Sequence, residues 1–263
     1  MQQSRSYWQY FFRSKGRHGI HSPFVFQLVD NCLTTKVDKN FQTERKKWFS
    51  ALGRNRNPFP VTDLGAGSKA LKKMRSVRSL MQNSSSRGIY GNVLFQLARF
   101  YRPAVMLELG TSVGIGTVHL KKGAPDSHIV TVEGCSETLA KACQSYDYWN
   151  MSGITTICSS FSDFLKLPSF FTYDLVFIDG HHDGEATLQY IERLLGQSQS
   201  ETLFILDDIR WSDDMWRAWN TIVADERFHV TIDLGRMGLV WRREQQVKEH
   251  FVLRPRILKT PWF

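Results

Sequence analysis

The sequence predicts a doubly wound α/β protein: a mostly parallel, Rossmann-like sheet with a C-terminal antiparallel strand and a helical N-terminal cap. From residue 91 onward, short apolar runs alternate with helix-like stretches, which is the order of βαβ units. Runs such as Leu175–Ile178 are apolar without interruption, as in strands that are covered on both faces. Only "GRMG" separates the last two apolar runs, which indicates a hairpin and hence one antiparallel strand.

The cap is predicted to span residues 1–88. "SPFVFQLVDNCL" begins with Ser-Pro, a favourable helix start, and "NRNPFP" interrupts the chain at residues 55–60. "SKALKKMRSVRSLMQ" has apolar residues near helical spacing and predicts a helix over residues 68–82, followed by the polar loop "QNSSSRG".

The α/β domain is predicted to span residues 89–263. "NVLFQLARFYR" is typical of a helix that ends before Pro103. The predicted strands are "AVMLEL", "HIVTVE", "ITTICS", "YDLVFID", "TLFILDD", "FHVTIDL" and "GLVWRR". The predicted helices between them are "TVHLKK", "SETLAKACQSYDYW", "GEATLQYIERLL" and "DDMWRAWNTIVAD". This order places a ligand site at the carboxyl ends of the strands.

The chain has 263 residues, of which 42% are hydrophobic, and a formal charge of +9. Residues 1–60 hold 11 Lys or Arg against 3 Asp or Glu, so a basic arm could contact nucleic acid, an anionic membrane surface or an acidic substrate, or form a solvated surface. The four cysteines show no CxxC pairing, which favours a reducing compartment. With no signal peptide and no transmembrane segment in the pattern, we expect a cytoplasmic protein.

Two glycine-containing stretches could each form a cofactor loop: "VTDLGAGSKAL" from Val61 and "VMLELGTSVGIGTVHL" from Val105. Such a loop needs a strand before it, a helix after it and an acidic residue at the end of the next strand. Only the second stretch meets these conditions, with Glu133 as the acid. Its spacing, G-x-x-x-G-x-G, differs from the dinucleotide pattern. With Glu108 at its base it suits a cationic ligand without phosphate, such as S-adenosylmethionine.

The stretch "GNVLFQLARFYRPAVMLELGTSVGIG" resembles the cofactor-binding segment of class I methyltransferases. It is most similar to metal-dependent O-methyltransferases of the catechol and caffeoyl-coenzyme A types, and it also resembles methyltransferase family 24. The similarity runs from Gly91 to Arg243. The resemblance implies that the cofactor contacts Glu108, Gly110, Ser112, Gly114, Glu133, Phe161, Ser162 and Asp179, with Glu133 at the ribose and Phe161 and Ser162 near the adenine. The loop around Ser86 would close over it. Gly116 departs from the usual serine, and Thr117 is the expected substitute.

Three acidic residues follow apolar runs at the predicted carboxyl edge: Asp179, Asp207 and Asp208. Converging carboxylates repel one another unless a cation lies among them, and hard oxygen ligands suit Mg²⁺, Mn²⁺ or Ca²⁺. The metal-dependent relatives carry an Asp and an Asp-Asn pair at these strand ends, and sugar-methylating relatives carry an acidic pair. Asp179 and Asp208 could instead cap the helices that follow them.

The catechol-type relatives have a basic lysine three residues after the first metal-binding aspartate, and His182 stands at that position here, beside His181. We therefore predict that His182 is the general base of an O-methyltransferase with a small hydroxylated acceptor. Trp211, Trp216 and the His181 loop are expected to shape the acceptor pocket. The alternatives are a nucleic-acid methyltransferase that uses the basic arm, although the motifs of amino- and cytosine-methylating enzymes are missing, and a non-catalytic cofactor binder.

Three further expectations complete the prediction. A homodimer is one option for the assembly, and the sequence leaves the oligomeric state open. His18 and His21 are expected to be structural, because two histidines alone make a poor metal site. Asp63 is expected to border the active site.

Overall fold

The computed structural model describes residues 10, 12, 14, 20–63, 71–84, 86–168 and 171–254. These residues form a two-stranded hairpin and an eight-stranded sheet. The hairpin consists of β1 (Phe59–Asp63) and β2 (Leu71–Arg75). The sheet consists of β3 (Val105–Leu109), β4 (His128–Glu133), β5 (Ile154–Cys158), β6 (Tyr173–Ile178), β7 (Ser198–Leu206), β8 (Val230–Asp233), β9 (Gly238–Trp241) and β10 (Glu249–Val252).

The sheet order is β10-β8-β9-β7-β6-β3-β4-β5. All neighbouring strands are parallel except β9, which is antiparallel to both β7 and β8. The predicted fold class is therefore confirmed, including the antiparallel strand of the C-terminal hairpin. The chain leaves β3 toward β4 and β5 on one side and continues with β6 and β7 on the other. This reversal opens a crevice at the carboxyl ends of β3 and β6.

Nine α-helices are described. They are α1 (Pro23–Leu28), α2 (Lys39–Arg54), α3 (Val77–Asn83), α4 (Ile89–Tyr101), α5 (Ile115–Gly123), α6 (Ser136–Tyr148), α7 (Phe161–Phe164), α8 (Gly184–Leu195) and α9 (Asp213–Ala224). A π-helical turn, Val29–Leu33, continues α1. Ser22 caps α1, since its hydroxyl accepts a hydrogen bond from the amide of Val25, and Pro23 opens the helix as the sequence predicts.

Both faces of the sheet are buried, because alternate residues of each strand point to opposite sides. One face packs Met106 and Phe177 against Leu94 of α4. The other face packs Leu107 and Val176 among the apolar residues of α8 and α9. This two-sided burial explains the uninterrupted apolar runs in the strands.

The N-terminal helices pack directly on the helices of the α/β unit. Phe41 of α2 stacks on Phe95 of α4 with ring centroids 4.8 Å apart, and Trp48 meets Trp149 edge to face at 5.7 Å. The domain boundary at residue 88 and the homodimer stay predictions. Within the described ranges, none of the helices is both long and apolar enough to cross a bilayer.

The predicted helix over residues 68–82 is confirmed only from Val77 onward. Residues 71–75 form β2, which pairs antiparallel with β1, and a helix begins only at Val77, capped by the hydroxyl of Ser76. Pairing with a distant strand has overridden the local helical spacing. Residues 64–70 of the first glycine stretch lie outside the described residues.

Candidate functional site

The turn after β3 packs tightly against the end of β6. The amide of Asp179 donates a 2.8 Å hydrogen bond to the carbonyl of Leu109. Gly110 has a φ of +108°, and a Cβ atom there would collide with the carbonyl oxygen of Asp179. Glycine is therefore required at this position for two reasons, its backbone conformation and the lack of space.

The carboxylate of Glu133 joins this turn to the end of β4. One oxygen accepts a 2.9 Å hydrogen bond from the amide of Ser112, and the other accepts a 3.0 Å bond from the amide of Cys135. Each carboxylate oxygen can accept a further bond. Glu133 thus orders the turn.

A cavity of about 730 Å³ opens beside this turn, within the usual range of ligand sites. It brings together most of the residues that the sequence singled out. Its wall includes Gly110, Ser112, Glu133, Phe161, Ser162, Asp179, His181 and His182.

Glu108 does not line this cavity; it lies fully buried beneath the turn. Its carboxylate accepts hydrogen bonds from the hydroxyls of Thr117 and, at 2.6 Å, Thr131. Burial raises its pKa to about 7, and the two threonine hydrogen bonds only partly oppose this. The structure therefore does not support the predicted direct contact between Glu108 and a cofactor. Glu108 and Glu133 still lie on the same face of the sheet, since Thr131, two residues before Glu133, pairs with Glu108.

Two neighbouring predictions are corrected in the same way. Thr117, the expected substitute for a ligand-binding serine, uses its hydroxyl on Glu108 and Tyr146 and is fully buried. Gly114 has a φ of +81° and faces α6, where an added Cβ would lie 2.9 Å from the ring of Tyr146. Gly114 therefore serves the packing of two helices.

The far wall of the cavity comes from the segment after β5. Phe161 packs edge to face against His181 and Tyr190, with centroid distances of 6.1 and 5.9 Å. Ser162 lies exposed beside it. Ser86, expected in a covering loop, is instead buried, and its hydroxyl donates to Asp179 at 3.3 Å.

The three strand-end aspartates do converge at the carboxyl edge, as predicted. Burial raises the pKa of Asp179 to about 6, and burial also raises that of Asp208. The cation beside them is Arg236, from the turn between β8 and β9. Its Nε atom lies 2.6 Å from Oδ1 of Asp208 and 3.5 Å from Oδ1 of Asp207, and its Nη2 atom donates to Oδ2 of Asp208 at 2.8 Å.

The predicted divalent cation at Asp179, Asp207 and Asp208 does not fit this arrangement. Both oxygens of Asp208 face the guanidinium of Arg236. In the part of the chain that the structure describes, no three His, Cys, Asp or Glu side chains are grouped so that they could hold a metal ion.

The two capping alternatives are also wrong. Asp183, not Asp179, caps α8, since its carboxylate accepts a 2.8 Å hydrogen bond from the amide of Ala186. Ser212, not Asp208, caps α9 through the amide of Met215 at 3.1 Å. Neither Asp179 nor Asp208 therefore caps a helix, and Asp179 lines the cavity.

His182 lies in the cavity wall, beside the strand ends that carry the three aspartates. Its Nε2 atom is 3.7 Å from Oδ2 of Asp208, and its ring lies 5.9 Å from that of Trp211, which is exposed in the cavity wall. His181, His182 and Asp208 all have positive φ angles, an unfavourable conformation that is retained mainly at functional sites. Trp216, expected in the acceptor pocket, instead lies against the guanidinium of Arg210 at 4.3 Å.

The sequence predicted that Asp63 borders the site, but it did not predict that β1 and β2 form one wall of the cavity. Val61, Thr62, Lys73 and Arg75 line the cavity, and the amide of Thr62 donates to Sγ of Cys135 at 3.3 Å. No local pattern indicated that this hairpin meets the loop after β4. Arg236 was missed too, although the predicted hairpin could have placed "GRMG" at the carboxyl edge. The side chain of Asp63 lies outside the described residues, so its role stays a prediction.

Comparisons with known proteins agree with this geometry. Residues 107–209 match the model of methyltransferase family 24, which is described as "Methyltransferase domain". The resemblance seen in the sequence is confirmed. None of the curated proteins compared with the chain matches it.

Solved structures share the fold at low identity. Cofactor-bound Rv0187 from MTB is 18% identical, with a TM-score of 0.56, covering 85% of this chain and 98% of that chain. An O-methyltransferase from Bacillus cereus in complex with SAH is 19% identical, with a TM-score of 0.52, covering 83% and 97%. The O-methyltransferase TomG from Streptomyces achromogenes, in complex with SAM, is 17% identical, with a TM-score of 0.51, covering 58% and 79%. At these identities the likeness establishes a methyltransferase-type fold.

Proposed function

We propose that this protein is an S-adenosylmethionine-dependent O-methyltransferase that acts on a small hydroxylated acceptor. The observation that supports it most is the tie between Ser112 and Glu133 at the edge of a 730 Å³ cavity. The glycine turn, the carboxylate of Glu133 and the acidic end of β6 surround one space, which supports a role of Glu133 in binding the ribose. The methyltransferase-type fold supports the same assignment.

The residues around the cavity fit this cofactor. Glu133 lines the cavity with a carboxylate, the group that accepts hydrogen bonds from ribose hydroxyls, and Phe161 offers an apolar ring with Ser162 beside it. Glu133 and Asp179 provide negative charge for a cationic sulfonium. When bound there, S-adenosylmethionine would supply an electrophilic methyl group.

His182 is proposed as the general base. Its Nε2 atom lies 3.7 Å from Oδ2 of Asp208, so the carboxylate stabilises the positive charge that the ring gains when it accepts the proton of the acceptor hydroxyl. Asp208 acts by orienting this ring. Trp211, beside His182 in the wall, gives the acceptor an apolar surface.

Calorimetry with S-adenosylhomocysteine tests the cofactor site. We expect one molecule bound per chain, and at least tenfold weaker binding by Glu133→Ala, which corresponds to about 1.4 kcal/mol. Glu226→Ala is the control, because Glu226 is 88% exposed at a distant surface pair. Absence of binding to the wild type, or equal binding by Glu133→Ala, would contradict the proposed site.

Release of S-adenosylhomocysteine in the presence of hydroxylated small molecules, or of RNA, tests the reaction. Transfer to small molecules with a lower kcat for His182→Ala, at unchanged affinity for S-adenosylhomocysteine, supports the proposal. Transfer to RNA alone would favour the nucleic-acid alternative. Cofactor binding without transfer to any acceptor would favour a non-catalytic binder.

A further inference from the structure

The guanidinium of Arg236 lies where the strand-end carboxylates converge. It contacts both oxygens of Asp208, at 2.6 and 2.8 Å, and lies 3.5 Å from an oxygen of Asp207. The side chains of Asp207 and Asp208 are almost completely buried, and that of Arg236 is 28% exposed. A permanently charged side chain therefore neutralises part of this acidic edge from within the protein.

The turn that carries Arg236 is fixed in place by other parts of the fold. The amide of Arg236 donates to the hydroxyl of Tyr90 in α4 at 3.1 Å, and its carbonyl accepts from the amide of Ile209 at 3.0 Å. The preceding Gly235 has a φ of +92°, and its amide donates to Asp233 at 2.8 Å. Because the amide and the carbonyl of Arg236 both form hydrogen bonds, the fold fixes the position of its backbone.

A divalent ion at this edge would need the same carboxylate oxygens. Mg²⁺ and Mn²⁺ bind through oxygen lone pairs, and the fork of an arginine uses both oxygens of a carboxylate at once. A divalent ion between Asp207 and Asp208 would also lie within a few ångströms of a guanidinium that cannot lose its charge. Arg236 and a metal therefore compete for the same place.

We infer that Arg236 is the resident cation of this site, so that the methyl transfer proposed above is independent of a divalent metal. Arg236 acts as a positioning residue. It holds Asp208, and Asp208 in turn lies 3.7 Å from the proposed base His182. This inference rests on the proposed function for its consequence in catalysis, whereas the exclusion of a metal stands on the ion pairs alone.

Binding of Mn²⁺, followed by electron paramagnetic resonance and calorimetry, tests the inference without an acceptor. We expect no saturable Mn²⁺ site in the wild type up to roughly 1 mM, the weak end of specific cation sites. Arg236→Gln should gain one site, because its carboxylates lose their cation, and the double variant Arg236→Gln, Asp207→Asn should lose it again. Arg236→Lys retains the charge and should bind no Mn²⁺.

A single Mn²⁺ bound by the wild type and lost in Asp207→Asn would overturn the inference, and this comparison does not depend on the folding of Arg236→Gln. A folded Arg236→Gln that takes up no Mn²⁺ would also overturn it, since the charge would then not be what excludes the metal. In the reaction, EDTA should change turnover less than twofold. If the wild type does not bind S-adenosylhomocysteine, the proposed function is refuted. The result of the Mn²⁺ titration is still valid in that case.

Discussion

The backbone amide of Ser112 lies 2.9 Å from a carboxylate oxygen of Glu133, so the turn after β3 is tied to the end of β4. The second oxygen of Glu133 is tied to the amide of Cys135. The residue proposed to bind the ribose therefore also holds the turn that forms the site. Its replacement should change the stability of the protein as well as its affinity for a ligand.

Glu133→Gln should lower the free energy of unfolding by about 1–3 kcal/mol, because an amide nitrogen replaces one of two oxygens that accept backbone hydrogen bonds. Urea denaturation followed by circular dichroism measures this. The matched Glu226→Gln should stay within about 0.5 kcal/mol of the wild type, since Glu226 is exposed. If the two variants are equally stable, the backbone hydrogen bonds to Glu133 contribute nothing to the stability of the protein.

Gly110→Ala should destabilise the protein by about 2–4 kcal/mol, because its Cβ would collide with the carbonyl of Asp179 and its φ of +108° is unfavourable for alanine. Thermal unfolding should show a clear drop in Tm. Gly53→Ala in α2 is the control, since its Cβ would only touch Met81 at 3.7 Å, and it should be neutral or slightly stabilising. A Tm for Gly110→Ala equal to that of the control would refute the tight packing.

Glu108→Gln should change how stability depends on pH. Burial raises the pKa of Glu108 to about 7 from 4.5, so the folded chain holds this proton more strongly than the unfolded chain. The stability that the proton contributes is fully present below pH 4.5 and is lost as the pH rises through 7. Glutamine does not titrate, so the stability of the variant relative to the wild type should rise by about 2–3 kcal/mol between pH 5 and pH 8.

Urea denaturation at several pH values measures this difference, and Glu226→Gln should show none. A relative stability of Glu108→Gln that stays constant with pH would show that Glu108 titrates as an ordinary exposed carboxyl.

Arg210→Met should destabilise the protein by about 3–5 kcal/mol, because it leaves the carboxylate of Asp233 buried without its ion pair. Arg210 and Asp233 form a two-pronged pair at the end of β8, and both side chains are 2% exposed. Arg217→Met is the matched control; Arg217 is 72% exposed and its pair with Asp214 is worth little. Equal urea midpoints for the two variants would contradict the prediction.

Patterns along the chain were sufficient for the elements of the sheet domain. Alternation of apolar runs and helical stretches predicted β3 to β9, and the rule that ligands bind at carboxyl ends placed Glu133 and Asp179 at the same edge. Residues 71–75 were misassigned because β2 depends on pairing with β1, a partner that local spacing does not reveal. β10 was missed for the same reason, since it exists by pairing with β8.

The order of strands and helices, the glycine turn after Glu108 and the acidic residues at strand ends could all be predicted from the residue pattern, because they depend on the spacing of residues along the chain. The burial of Glu108 beneath the turn and the contact of Arg236 with Asp208 could not be predicted in this way. Those facts depend on which distant side chains meet and on the direction in which each one points. Packing of the whole chain sets both.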